Sequence, residues 1–340
     1  MTTWDPEQVR EACRAHGVQW EDNKPMALLT TYAVGGTARL AVTVRTSDDM
    51  QRLATALSAC GDIPLVVLGR GSNTLFADAG FDGVVVIVGS SEESKSITCV
   101  GDVVSAAGAM LMPVLARRSV QAGRGGLEWC VGIPGTVGGA VRMNAGGHGA
   151  EMDDSLLSAR VLSLRSGATH VVPKSALGLH FRGSALSAHH IVMSAEFSTS
   201  AQDVQKGTAE LDNIVAWRRE HQPGGRNAGS VFVNPAPGSG SAGALIDAAG
   251  LRGFTSGGAH VSEKHANFIQ ATETATASDI IAVMDHVQNV VREQTGTVLR
   301  SEVRLVGFSD NIAQQFADAQ HDAPQFVAAR QSLCSLLGEM

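Results

Sequence analysis

Between Gly123 and Gly149 this chain carries a glycine density that few folds can use. Its centre reads Gly132-Ile133-Pro134-Gly135-Thr136-Val137-Gly138-Gly139-Ala140, followed by Met143-Asn144-Ala145-Gly146-Gly147. Each glycine loses more backbone entropy on folding than alanine would, so such a run is costly unless something needs the backbone to come close. Ile133, Val137, Ala140 and Val141 make the segment too apolar for a solvated surface loop. Backbone packed around a large flat ligand or a pyrophosphate has that need. A ligand-binding loop is therefore the favoured reading, with Asn144 able to reach a heterocycle edge.

A second glycine turn lies earlier, in Val67-Leu68-Gly69-Arg70-Gly71-Ser72-Asn73-Thr74-Leu75. A buried strand runs there into small residues that expose backbone N–H groups to one anion. It is not a dinucleotide fingerprint, because Thr74 stands where the third glycine would be and no helical pattern follows. The residues alone equally allow an ordinary strand–turn connection.

Composition narrows the setting. The 340 residues suggest two or three domains, and a 44% hydrophobic content is enough for sizeable cores. The net charge is -7 with no long basic run, so no nucleic-acid partner is expected and any phosphate site must be local. Five scattered cysteines, Cys13, Cys60, Cys99, Cys130 and Cys334, form no C-x-x-C pair. Neither a disulfide framework nor a metal site is expected from them, and a reducing compartment fits. No signal peptide is expected from Met-Thr-Thr-Trp-Asp, and no apolar run approaches the roughly 18 residues of a membrane span. The expectation is a cytoplasmic protein.

Periodicity divides the chain into four parts. Residues 1–88 read as a small α/β unit: a helix from Pro6 to His16, a strand with Ala38, Leu40, Val42 and Val44 in alternation, a helix from Ser47 to Leu57, and strands Leu65–Leu68 and Val84–Val88. Residues 89–200 mix strands with a helix around Met110 to Gln121. Residues 201–307 open on a helix to Glu220 and hold a well-marked one, where Thr276 and Asp279 fit a capping box. Ile280, Met284, Val287 and Val291 form its apolar stripe, and Gly296 ends it. A strand through Val298, Val303 and Leu305 follows. Residues 308–340 read as a helical appendage.

Four further segments carry candidate chemistry. Arg218-Arg219 could hold phosphate or close a helix. Ser230, in Ala228-Gly229-Ser230-Val231-Phe232-Val233-Asn234-Pro235, has no His or Asp close in sequence. His260 and His265 do not have zinc-helix spacing, and a turn packing one His and one Asn on the third core is the plainer reading. Glu302 shares a strand face with Arg300 and Arg304, opposite Val303 and Leu305, and reads as an exposed acid on a half-buried strand.

The order of these segments is more specific than any one of them. Gly-Arg-Gly-Ser-Asn, Gly-Ile-Pro-Gly-Thr-Val-Gly-Gly-Ala, Met-Asn-Ala-Gly, Ala-Gly-Ser-x-Phe-x-Asn-Pro, Ala-Gly-x-Leu-Ile-x-x-Ala-Gly-Leu-Arg-Gly and His-Ala-Asn-Phe follow one another from about Thr30 to Gly307. This series resembles the UDP-N-acetylenolpyruvoylglucosamine reductases, in their shorter branch lacking an extra substrate-domain loop. The resemblance implies an α+β chain: an FAD-binding fold of the vanillyl-alcohol-oxidase type in two α/β subdomains, plus a C-terminal substrate domain. It implies NADPH-dependent reduction of an enolpyruvyl nucleotide sugar in peptidoglycan synthesis, by a monomer. Gly69, Arg70, Gly71, Ser72, Asn73, Gly132, Ile133, Pro134, Gly135, Thr136, Gly138, Gly139, Ala140 and Asn144 would hold FAD. Arg182 and Glu302 would engage the substrate carboxylate, and Ser230 would donate the proton. Arg218, Gln222, Asn234, His265 and Asn267 would bind the rest of the substrate. A related flavoenzyme with another substrate is the alternative, because the family's Tyr before Arg182 is Phe181, its Lys before Asn234 is Val233, and its first strand Glu is Arg300.

Overall fold

The computed structural model describes residues 4–235, 238–317 and 324–339. Its first sheet has the strand order Glu21–Pro25, Thr37–Val44, Phe81–Val88, Leu65–Leu68, the first pairing antiparallel and the others parallel. The two-residue strand period decides which side each residue covers. Leu40, Val42, Val44, Val84 and Val86 pack under helices Pro6–Ala15 and Ser47–Ser58. Ala41, Val85 and Ile87 face the other way, onto Met26 and Phe76.

The second sheet is antiparallel, in the order Thr169–Pro173, Leu156–Ser163, His190–Ser198, Val103–Ala107, Ile97–Val100. Helices Met112–Gln121 and Val137–Met143 join its core through Leu115, Val120 and Val141. Helix Val204–His221, placed with the third region by the sequence, packs here instead through Leu211 and Ile214. Gly207 is the physical reason: a Cβ there would lie 2.8 Å from Val120 Cγ1, so only glycine lets the two helices come this close.

In the third region, helix Ala277–Thr295 starts in the expected Thr276–Asp279 capping box and ends at Gly296, whose φ is 73°. Its apolar stripe covers a small sheet of Thr255–Ser256, Ala259–Val261 and Ile269–Ala271. Tyr32, Val34 and Leu75 of the first region enter the same core. Asp78 adds a polar clasp, accepting from the Ala277 and Ser278 backbone N–H groups at 2.8 Å each.

The segment after Gly307 is not an appendage. It forms helices Asp310–Gln315 and Pro324–Leu336. Phe316 is buried in the third core, whereas Leu333 and Leu337 are buried in the second. The part of the expected tail at 318–323 lies outside the described residues. The expected strand Val298–Leu305 is regular only at Arg304–Val306, which pairs in parallel with Thr74–Phe76. No described helix is long and apolar enough to cross a membrane, and no cluster of metal-ligating side chains occurs among the described residues.

Candidate active site

A cavity of about 420 Å³ opens where the three regions meet. Gly69, Arg70, Gly71, Ser72 and Asn73 form one wall. Gly132, Ile133, Pro134, Gly135, Thr136, Gly139 and Ala140 form the facing wall. The glycines let these walls approach. A Cβ on Gly69 would meet Thr136 Oγ1 at 2.5 Å, and one on Gly71, where φ is 64°, would meet the Leu29 carbonyl at 2.1 Å. The Gly132–Ala140 segment is loop only as far as Thr136, which caps helix Val137–Met143 by accepting from Gly139 N.

Two predicted cofactor residues do not line this cavity. Gly138 donates its backbone N–H to Gly108 O at 2.8 Å and lies close beneath Val192. Asn144 is 1% exposed and turns away from the cavity.

Arg182, Ser230 and Glu302, distant in sequence, all reach the cavity wall. Arg182 Nε lies 3.0 Å from Glu302 Oε1, with about a fifth of each side chain exposed. Burial raises the Glu302 carboxyl to about 7, against the opposing pull of the Arg182 charge and hydrogen bond. The sequence reading had this acid exposed. Its facing relative to Val303 was right, but that face of the strand looks into the cavity and not into bulk water. Arg182 sits in the left-handed region at φ 58°, inside a turn where His180 and Gly183 exchange both backbone hydrogen bonds at 3.0 Å. A non-glycine residue is strained there. The Arg182 guanidinium also lies 4.7 Å from the Phe181 ring centroid.

Three asparagines hold the segments that carry these side chains. Asn73 Nδ2 donates to the Glu302 carbonyl, and Asn73 O accepts from Arg304 N, both at 3.0 Å. Asn144 Nδ2 donates to the His180 carbonyl at 3.1 Å, and its Oδ1 accepts from Asp153 N at 2.9 Å. Asn267 Oδ1 accepts from Phe232 N at 2.9 Å, and its Nδ2 donates to Phe232 O at 2.8 Å, like one more strand residue beside Ser230. The Glu302 N–H closes the corner on Val231 O at 2.7 Å.

The cavity is electropositive in an acidic chain. Arg70, Arg142, Arg182, Arg218 and Arg304 line it against a single carboxylate, Glu302. Burial, reinforced by nearby Arg304, lowers the Arg142 guanidinium to about 10. Burial also lowers Arg218. Gln222 lines the same wall, and its Oε1 is buried without a protein partner. Asn234, His265 and Asn267 line instead an adjoining cavity of about 430 Å³ that shares Ser230. Asn234 Oδ1 is used there to accept from Ala242 N.

Sequence reasoning missed Arg142 and the cavity role of Arg304. Arg304 had a signal in its shared face with Glu302. Arg142 had one only if Val137–Met143 were read as a helix, which sets Gly139 and Arg142 three residues apart on one side.

Comparison with known proteins identifies the family. A family model described as FAD binding domain matches residues 38–172, and one described as UDP-N-acetylenolpyruvoylglucosamine reductase, C-terminal domain, matches residues 221–306. The UDP-N-acetylenolpyruvoylglucosamine reductase of Paramagnetospirillum magneticum is 39% identical over 284 residues, covering 83% of this chain and 90% of that one. The same-named protein of Synechococcus sp. strain RCC307 is 40% identical over 286 residues, covering 83% and 92%. The crystal structure of the Thermus caldophilus reductase superposes with a TM-score of 0.71 at 32% identity, over 85% of this chain and 98% of that one. A VAO-type flavoprotein from Myceliophthora thermophila shares the fold alone, with a TM-score of 0.57 at 9% identity. On this evidence the chain belongs to the UDP-N-acetylenolpyruvoylglucosamine reductase family, as an FAD-dependent oxidoreductase with a vanillyl-alcohol-oxidase-type cofactor fold and a C-terminal substrate domain.

Proposed function

We propose that this protein reduces the enolpyruvyl ether of UDP-N-acetylglucosamine enolpyruvate to the lactyl ether of UDP-N-acetylmuramate, a peptidoglycan precursor, with NADPH as the electron source. One observation carries the reading: the Arg182–Glu302 pair at the wall of an arginine-lined cavity, with its carboxyl raised to about 7. A carboxylate-bearing substrate of high negative charge suits that wall.

The residues present fit FAD. Glycine lets the two walls close together at Gly69, where a Cβ would strike the Thr136 side chain, and Arg70 and Arg142 supply positive charge. Asn144 is not among the holding residues, because both ends of its amide are used inside the protein. Bound FAD would supply a hydride, received from NADPH, to the terminal vinyl carbon.

This chain's own residues do the rest. Arg182 binds the substrate carboxylate through its guanidinium. Glu302, neutral below about pH 7, donates a hydrogen bond to the same group as negative charge moves onto it. Ser230 Oγ delivers a proton to the carbon next to the carboxylate. The double bond thus gains one hydride and one proton, and NADP⁺ leaves. Arg218 and Gln222 hold the substrate on the α-helix side of the wall, and the cavity beyond Ser230, with Asn234 and His265, takes its remote end.

An anaerobic visible spectrum tests the proposal. The purified protein is expected to show a flavin band that NADPH bleaches and the enolpyruvyl nucleotide sugar restores. Bleaching without restoration would contradict the substrate, and absence of a flavin band after adding FAD would contradict the reading of both glycine walls.

A further inference from the structure

Both family models stop short of Gly307, yet the segment after it reaches the back of the active-site wall. Helix Pro324–Leu336 is seated by Leu333, which like the nearby Leu337 is fully buried, and by Ala329, whose Cβ would lie 2.7 Å from a Cβ placed on Gly178. Two contacts then run forward from it.

Phe326 stacks on His180, with ring centroids 3.9 Å apart and planes 29° from parallel. His180 Nδ1 is tied to Gly178 O at 3.0 Å. The His180 backbone closes the tight turn that keeps Arg182 at φ 58°. Glu339 makes the second contact. Its carboxylate accepts from His190 Nε2 at 2.9 Å and from Ser163 Oγ. His190 Nδ1 accepts from Ser187 N at 2.9 Å, so the imidazole proton sits on Nε2 and the ring has one orientation. Ser187 O in turn accepts from Arg142 Nη1 at 2.9 Å.

The Glu339 side chain is only 3% exposed. Burial alone would raise its carboxyl, but the hydrogen bonds from His190 and Ser163 hold it at about 2. The evident effect of this carboxylate is to fix the geometry of the Ser187–His190 turn.

We propose that helix Pro324–Leu336 and Glu339 are positioning elements for the reaction, setting Arg182 through Phe326–His180 and Arg142 through Glu339–His190. The proposal rests on the enolpyruvyl-reductase reading for the part played by Arg182.

Full-length Phe326→Ala and Glu339→Gln test it by rapid-reaction spectroscopy of the two half-reactions and by FAD titration. Phe326 is partly exposed, so its loss leaves the core intact, and far-UV circular dichroism checks the fold of each variant. In Phe326→Ala, reduction by NADPH is expected within about twofold of wild type while reoxidation by the enolpyruvyl substrate slows about tenfold, and Phe326→Tyr is expected to restore it. Glu339→Gln acts through Arg142, which faces the cofactor side, so it is expected to weaken FAD affinity about fivefold and to leave reoxidation of the flavin-loaded enzyme within about twofold; unchanged FAD affinity would overturn its part of the proposal. In an Arg182→Lys background, Phe326→Ala is expected to add almost nothing, because both act through one side chain. Unchanged reoxidation in Phe326→Ala, or equal slowing of both its half-reactions, would overturn the proposal. A wild-type protein that the substrate cannot reoxidise would overturn the functional reading itself, so the two failures are distinguishable.

Discussion

The two sides of the active-site cavity are built in opposite ways. The cofactor side is made largely of backbone: two glycine-rich walls that close together at Gly69, where a Cβ would strike the Thr136 side chain. The reacting side is made of three side chains distant in sequence, each on a segment held by an asparagine amide. Asn73 holds the strand of Glu302, Asn144 the turn of Arg182, and Asn267 the segment of Ser230. A backbone cradle has no room for a Cβ at Gly69 or Gly71 and grips a ligand of fixed shape. A corner of clamped side chains tolerates strain, as at Arg182, and places charge and protons to a fraction of an ångström. The contrast predicts different failures on the two sides.

The largest expected effect is on the cradle. Gly71→Ala puts a methyl group against the Leu29 carbonyl at a φ that alanine resists. Stability should fall by about 3 kcal/mol, with purified protein largely free of flavin by its absorbance ratio. A fully flavinylated variant would mean that the walls are looser than their glycines imply.

Next comes a clamp. Asn267→Ala strands the N–H and carbonyl of Phe232, two buried polar groups, costing about 3 kcal/mol in a denaturant titration. Flavin should stay bound while reoxidation by substrate slows about a hundredfold. Loss of flavin from this variant would erase the distinction between the two sides.

Glu302 sharpens the comparison through pH. Its carboxyl is raised to about 7, so it is neutral below that pH and loses its proton as pH rises. Reoxidation by substrate should therefore fall about tenfold per unit above pH 7, and Glu302→Gln should lack that limb. The same sign applies to stability. The neutral form is the one the fold favours, so the contribution of Glu302 is lost as pH rises through about 7, and the melting temperature of Glu302→Gln should decline less than that of wild type.

The smallest effect is expected from Asn73→Ala, because the adjoining strand Thr74–Phe76 keeps its pairing with Arg304–Val306. A loss of about 1 kcal/mol and a several-fold slower reoxidation should result. An effect on flavin affinity greater than on reoxidation would mean that Asn73 serves the cradle, whose wall it also lines, more than the corner.

Much of the fold was legible because its signals are local. The alternation in Thr37–Val44, the helix starts at Ser47 and Thr276 and the Gly296 stop need only neighbouring residues to be read. The glycine walls were legible because glycine is a backbone signal and the walls are backbone. The asparagine clamps were not. Asn73 and Glu302 are 229 residues apart, and an amide that completes a distant strand has the same sequence signature as one that binds a ligand. Periodicity alone misread Glu302 as exposed, because it gives the facing of a side chain but not what that face meets; only the family resemblance put this acid at the site. Helix Val204–His221 has too weak an apolar stripe to reveal which core it joins, and Gly207 was its one indication. The two departures Val233 and Arg300 lie side by side, with Val233 N donating to Arg300 O at 2.9 Å, and Arg300 Nη1 reaches Gln315 O in the segment after Gly307. Arg300 thereby ties that segment to the third region, while Val233 lines a cavity beside Arg182 and Glu302, where the family's lysine would place a cation.

The most direct test of the division between cradle and corner is rapid-reaction spectroscopy of Ser230→Ala beside wild type, each half-reaction measured separately. Equal flavin content, equal reduction by NADPH and reoxidation by the enolpyruvyl substrate slowed by about a thousandfold are the predicted results, since only the proton delivery has been removed. Reoxidation at the wild-type rate would contradict the account, because the corner would then be working without the side chain it is built to present.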